Sequence, residues 1–527
     1  MRIQRLVGGS CLMALLTVAN LAAAGSDLAD AVMNKNAATA KSLLSQKADV
    51  NAPQVDGATA LHWAVKWDDA AMVDQLIKAG AKVNAANRFG ATPMYLACVN
   101  GSAAIIDKLI AAGADPNAPL LSSKETPLMV ASRTGKPEAV KLLLDRGAKT
   151  DAVEALRGTT ALMWAAEQGH ADVIKLLASR GADLAAKSSV VVPKTGRGNG
   201  DGDDENVALG IPIGGMTALV FAAREGQLEA VKALIDAGAN VNQPAADKTT
   251  PVEVAVLNGN YEISVYLMDH GANVNLANDK GWTPLYQAVK NRNLETGAVP
   301  LLKTGTLTSE LELIKIVLDH GADPNIRMKA NSQGRNGQGG TWLNEAGATP
   351  FLRAALNGDV TVMKMLLPYG ADPNLATNDG TTPLMALAGV GFAEGFISHH
   401  SQEETMQAMH LILNLGADAT ATNKRGLSAM HGAAHRGDDQ VVQVLADLGA
   451  RVDLRDHTPA ADGHDDSGLT PLDWAMGVRI SAASPIYKES TVQLITKLLQ
   501  ERGIEVPAAA LKTIGGKRSA AGTGAKQ

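Results

Sequence analysis

His431 and His435 stand four residues apart, a spacing that sets two imidazoles on one helix face and suits a zinc pair. Gly432 follows His431 where a metalloprotease helix needs its glutamate base, so the pair lacks that chemistry. His457, Asp462, His464, Asp465 and Asp466 form a richer group, and carboxylate with imidazole suits zinc or manganese. His399 and His400 are a third group. Asn199, Asp201, Asp203, Asp204 and Glu205 carry oxygen donors at alternating positions, but without the glycine and distant glutamate of a calcium loop. Gly196, Gly198 and Gly200 recur with no strand–helix frame around them. No nucleophile elbow or phosphate loop follows a strand pattern. Solvated acidic loops account for these stretches without a bound ion. The expectation is therefore no catalytic residue, no resident metal and no cofactor.

What would position any side chain here is a repeated unit. Residues 158–184 read GTTALMWAAEQGHADVIKLLASRGADL. Thr160 can cap a first helix by accepting from an orphan amide of its first turn. Sister units add proline next, as in Thr92-Pro93, Thr126-Pro127 and Thr283-Pro284, where a missing N–H costs nothing. Leu162, Ala165 and Ala166 give a face of small side chains, and Gly169 ends the helix. Val173, Ile174, Leu176 and Leu177 form the apolar stripe of a second helix, which Gly181 stops in a left-handed conformation. Neither helix is long enough to be stable alone, so the unit must stack on its copies.

The 527 residues are 46% hydrophobic but only 3% aromatic, as a core of tightly stacked small aliphatic side chains requires. Formal net charge is −6 and no long basic block occurs, which argues against nucleic acid as the main ligand. Residues 1–24 read as a signal peptide: a basic start at Arg2 and Arg5, a mostly apolar run from Leu12 to Leu21, and Ala22-Ala23-Ala24 for cleavage. No other segment is long and apolar enough to span a bilayer. Cys11 would leave with the signal and Cys98 would stand alone, as a buried small side chain without a disulfide.

Residues 25–51 look like a degenerate capping repeat. Regular copies fill 52–185, with starts at Thr59, Thr92, Thr126 and Thr160, in steps of 33, 34 and 34 residues. A Gly- and Asp-rich insertion follows at 186–214. Copies resume over 215–504, interrupted at 295–309, 326–346, 389–403, 457–467 and 478–489. Residues 505–527 read as a disordered tail.

The motifs Thr283-Pro284-Leu285-Tyr286-Gln287-Ala288 and Gly370-Ala371-Asp372-Pro373-Asn374, in phase over about eleven copies, resemble the ankyrin repeat. Departures are alanine for proline after Thr59, Thr160 and Thr217, Ser428 for threonine, and the six inserts. The resemblance implies an all-α solenoid, curved and right-handed, whose repeats each add a helix pair and a β-turn finger. It implies a protein partner docked on the concave side of fingers and first helices. It also places histidine at positions such as His431 and His435 for structural reasons.

Two positions after the small pair of each first helix should face that groove and vary between copies. They supply Trp67, Asn100, Arg133, Glu167, Gln168, Arg224, Lys290 and Arg436. Finger tips supply Phe89, Arg157, Met216, Lys280 and Trp282, since exposed aromatics and arginine are frequent interface anchors. Trp63, Trp164, Phe221 and Trp474 share one frame position and read as packing. The expectation is an exported, monomeric, non-catalytic scaffold in the periplasm or outside the cell, for example one accessory to a periplasmic enzyme. The alternative is a metal-dependent enzyme or a secreted host-directed effector that uses the insertion loops.

Overall fold

The computed structural model describes residues 26–120, 123–193, 211–293, 309–330, 343–392, 401–457, 468–477 and 487–507. The signal segment, the Asn199–Glu205 run, His399, His400, Asp462, His464, Asp465 and Asp466 lie outside the described residues. The chain divides into two compact units, residues 1–188 with 232–237, and 189–231 with 238–527.

In the first unit the helix pairs are Asp27–Met33 with Ala37–Ser45, Ala60–Lys66 with Ala70–Lys78, Pro93–Asn100 with Ala103–Ala111, Pro127–Thr134 with Pro137–Asp145, and Ala161–Gln168 with Ala171–Ser179. First helices pack on first helices of the next pair and second helices on second helices. The expected caps are present: the Thr92 hydroxyl accepts from Tyr95 N at 3.2 Å and that of Thr160 from Met163 N at 3.4 Å. The N-terminal pair buries Leu28, Ala29, Ala31 and Val32 and exposes Thr39, Lys41 and Ser42 outward, as a solenoid cap needs.

Periodicity of the sequence becomes columns in the core. Val73, Ile106, Val140 and Ile174 stack with no exposure, and so do Leu76, Leu109, Leu143 and Leu177. Leu176 departs from the expectation: it is only half-buried. Its counterparts are Gln75, Lys108 and Leu142, so it lies on the flank of the stripe. Gly181 has φ +81° with open space where a Cβ would stand, so conformation alone demands glycine there. Gly135 is needed for space as well, because a Cβ would meet the His170 ring at 2.3 Å.

The asparagine closing each Gly-Ala-Asp-x-Asn motif joins neighbouring repeats. Asn117 Nδ2 donates to Gly147 O at 2.9 Å while its Oδ1 accepts from Lys149 N at 2.8 Å. Asn51 bonds likewise to Gly80 O and Lys82 N. Within the second unit, Asn275 does so to Gly321 O and Asp323 N, and Asn325 to Gly370 O and Asp372 N. Finger backbones also join, Arg88 N to Asp56 O and Lys424 N to Asp379 O.

The second unit continues with first helices Ala218–Glu225, Pro251–Leu257, Pro284–Arg292, Pro350–Asn357, Pro383–Ala388, Ala429–Arg436 and Pro471–Gly477. The insertions differ from plain loops. Val190–Val191 pairs antiparallel with Ile213–Gly214, giving the 186–214 insertion a ribbon stem. Met328 and Leu343, at the ends of the 326–346 insertion, are buried in one cluster with Tyr286, Leu352, Leu356 and Phe392. In the 389–403 stretch, Val390 and Phe392 are buried, and a helix begins at Gln402 behind a Ser401–Glu404 capping box.

His62 and His431 sit at the third position of their helices. Each Nδ1 accepts from the cap residue's N–H, Thr59 or Ser428, at 3.1 Å. Each Nε2 therefore carries the proton, toward Ala91 O at 3.1 Å or Leu469 O at 3.2 Å. Burial lowers the pKa of both from 6.5; the Ala91 and Ala85 carbonyls oppose it at His62, the Asp456 charge and Leu469 carbonyl at His431. The unfolded chain thus binds the proton more readily. Stability is full above pH 6.5 and falls as pH drops through that value toward the folded pKa. His431→Gln is expected to flatten this acid-side slope in melting experiments, and an unchanged slope contradicts the assignment.

Candidate functional site: cations laid on aromatic rings

The side chains at the ends of the first helices fall into two sets. One set ties repeats together. Asn100 Nδ2 donates to Val65 O at 2.7 Å, in the preceding repeat. Thr134 Oγ1 reaches Cys98 O at 2.9 Å and Asn291 Nδ2 reaches Val256 O at 2.8 Å. Arg436 Nη1 donates to Leu387 O at 3.3 Å, and burial lowers the arginine pKa against the opposing charge of Asp438. Asn100 and Arg436 therefore close orphan carbonyls at helix ends. This is a frame function that the variability of these positions concealed.

The other set places cations on rings. Lys66 Nζ lies 4.5 Å from the Trp63 ring centroid and 5.4 Å from that of Trp67. Lys35, held at φ +55°, lies 4.2 Å over Trp67. The two indoles stack at 6.1 Å, and Trp67 Nε1 donates to Met33 O at 3.1 Å. Trp67 also borders an open cavity of about 300 Å³ with Val32, Lys35 and Met72.

Arg133, Arg157 and Glu167 are brought together around Trp164. The guanidinium of Arg133 is 4.5 Å and that of Arg157 5.9 Å from its ring. Arg157 also pairs with Glu167 at 3.2 Å. The ring is fixed from behind: its Nε1 donates to Thr159 Oγ1 at 2.6 Å, and that hydroxyl to Glu154 at 2.9 Å. Burial opposes the charge on Glu154, but bonds from Thr159, Leu156 and Arg157 outweigh it and lower its pKa. Gln168 is exposed just beyond Glu167, and Phe89 is a free-standing tip, 78% exposed.

Arg224 lies 5.1 Å over Phe221, touches Met216 Sδ at 3.5 Å and pairs with Glu225. Lys280 and Lys290 stand 5.6 and 4.8 Å from the Trp282 ring. Lys290 and Trp282 sit otherwise than the repeat frame predicts. Lys290 does not project into an open groove, being 6% exposed. Trp282 is no exposed tip: it is half-buried against the Tyr286–Leu343–Phe392 cluster made by the insertion stems. No reading of the repeat frame alone predicts that cover.

Sequence reading missed the double use of Trp63, Trp164 and Phe221. Trp164 and Phe221 are buried, 4% and 2% exposed, as packing residues are, and Trp63 is half-buried. Yet each also receives a cation on one face. The signal was present, because Lys66, Arg133 and Arg224 share one frame position. Each such contact is worth about 0.5–2 kcal/mol, depending on its desolvation. Among the described residues, no three His, Cys, Asp or Glu side chains are grouped to hold a metal. His435 instead packs edge-on against Trp474 at 5.4 Å.

Cys98 is fully buried and burial pushes its thiol pKa far up. Its reaction with a thiol reagent is expected to be negligible in the folded chain and prompt after denaturation. Rapid native labelling would contradict this placement.

Comparison with known proteins agrees with this architecture. The family described as ankyrin repeats (3 copies) matches residues 28–119, 119–188, 201–278 and 219–328. A single ankyrin repeat matches residues 346–375. Among curated proteins, none matches the sequence. Among solved structures, the human ASB11 ankyrin repeat domain is similar, at 25% identity over 47% of this chain and 99% of that one, with a TM-score of 0.39. Threonine-capped helix pairs, glycine stops, the asparagine ladder and these family matches converge: the chain belongs to the ankyrin repeat family.

Proposed function

We propose that this protein is an exported, non-catalytic scaffold that binds a protein partner on the face formed by first helices and finger turns. Ankyrin repeats generally mediate protein–protein interaction, and no catalytic family is indicated. The observation that carries the reading is the row of ordered cations and aromatics on that face: Lys66 with Trp67, and Arg133 with Arg157 around Trp164. Side chains immobilised before contact lose less entropy on binding. Gln168 and Phe89 extend the same surface. Asn100 bears on it indirectly, by tying the end of its first helix to Val65 O of the preceding one.

Export is supported by the basic start, apolar run and Ala22-Ala23-Ala24 of the first residues. The client then belongs to the periplasm or the exterior, and the scaffold acts there as a monomer. Fractionation with N-terminal sequencing is expected to find a chain starting at Gly25 outside the cytoplasm. A chain retaining Met1 in the cytoplasm would refute export. Cross-linking in that compartment is expected to yield one dominant partner, lost on combining Trp67→Ala with Arg133→Ala. Undiminished capture by that variant would refute the proposed face.

A further inference from the structure

We infer that the helix-and-finger face of the first unit takes an acidic protein segment whose carboxylates are interspersed with apolar side chains. The inference rests on the scaffold reading above and names the chemistry of the partner. Lys35, Lys66, Arg133 and Arg157 each have a ring against one side. The ring leaves their remaining N–H donors directed away from it, in a side chain whose rotamer is already held. Ion pairing takes up Arg157 of this set and leaves Lys35, Lys66 and Arg133 to face a partner. Glu154 accepts from Leu156, Arg157 and Thr159 within its own finger. Asp56 holds Ala58 N, and Glu125 holds Ser123. Among the described residues, Glu167 is the one carboxylate in an ion pair with any of the four cations, at Arg157.

Exposed apolar side chains come between these cations along the chain. The finger tips Val55, Phe89 and Leu156 are 84%, 78% and 79% exposed. Basic groups alternating with bare apolar tips complement a segment of opposite charge and like apolarity. A nucleic acid fits less well. Trp164 is covered and presents no face for a base, and the exposed aliphatic tips Val55 and Leu156 match apolar side chains and not a sugar-phosphate backbone.

The test uses the full chain and fluorescein-labelled peptides read by anisotropy. One peptide repeats Asp-Leu-Glu-Phe, a second of equal length repeats Lys-Leu-Lys-Phe, and a single-stranded oligonucleotide supplies a non-protein anion. The acidic peptide is expected to bind, and to weaken with rising salt; the other two are expected to bind far less. Lys66→Glu combined with Arg133→Glu should weaken it about tenfold or more. Lys66→Arg with Arg133→Lys should retain it, and Lys175→Glu, on the exposed side of a second helix, should leave it unchanged. Melting curves confirm that each variant is folded. Equal binding of acidic and basic peptides, tighter binding of the oligonucleotide, or equal damage from Lys175→Glu overturns the inference. If the natural partner still docks on this face but ignores the Lys66 and Arg133 reversals, the scaffold reading stands and only the acidic assignment falls.

Discussion

Replacing Arg353 with methionine is expected to destabilise the repeat around Pro350–Asn357 by about 3–5 kcal/mol. Arg353 and Glu345 are 3% and 2% exposed and pair at 2.8 Å. Removing one partner strands the other charge in the core. Glu345 also acts on Tyr286, whose hydroxyl pKa is pushed well up by burial and by that carboxylate. Replacing both members, Arg353→Met with Glu345→Leu, is expected to recover most of the loss, because paired burial itself contributes little net stability. Amide exchange across Pro350–Asn357 measures both variants. A single variant that exchanges as slowly as the parent would show that the pair is solvated.

The second large effect is at Leu177. It has no exposure and stands in the column with Leu143 and Leu109, so Leu177→Ala removes contacts that neighbours cannot replace. The expected cost is about 2–5 kcal/mol, felt in the first unit. Leu176→Ala is expected to cost clearly less, because that side chain keeps contact with water. Comparable losses from the two substitutions would contradict the assignment of the buried stripe.

These two predictions mark where sequence was sufficient and where it was not. Leu177 is legible from spacing once the copies are aligned: its column is Leu76, Leu109, Leu143 and Leu177 in the regular copies of the first unit, whereas that of Leu176 admits Gln75 and Lys108. Thr160, Gly169 and Gly181 were equally legible, since capping and left-handed geometry restrict residue type locally. Arg353 was not. It occupies the frame position of Trp164, and only its burial against Glu345, beside an insertion stem, reveals the pair.

The recognition surface shows the same division. Variability among copies pointed to Asn100, Arg133, Glu167, Lys290 and Arg436 alike. Asn100 and Arg436 bond to carbonyls in the preceding repeat, and Lys290 is covered. Arg133 and Glu167 share the environment of Trp164. Such outcomes depend on which neighbour stands one repeat, or one insertion, away. Hydrophobic periodicity carries no information about that. Trp282 is the clearest case, because its cover comes from Met328, Leu343 and Phe392, residues distant in sequence and set within loops.

The central claim is that a protein partner docks on the face of first helices and fingers. Site-resolved photo-cross-linking in the native compartment tests it most directly. A photoreactive residue is placed in turn at Gln168 and Phe89, on that face, and at Lys41 and Lys175, on exposed second-helix surfaces. One partner captured from Gln168 and Phe89, and absent from Lys41 and Lys175, is the predicted result. Capture from the second-helix positions alone, or equally from all four, would contradict it.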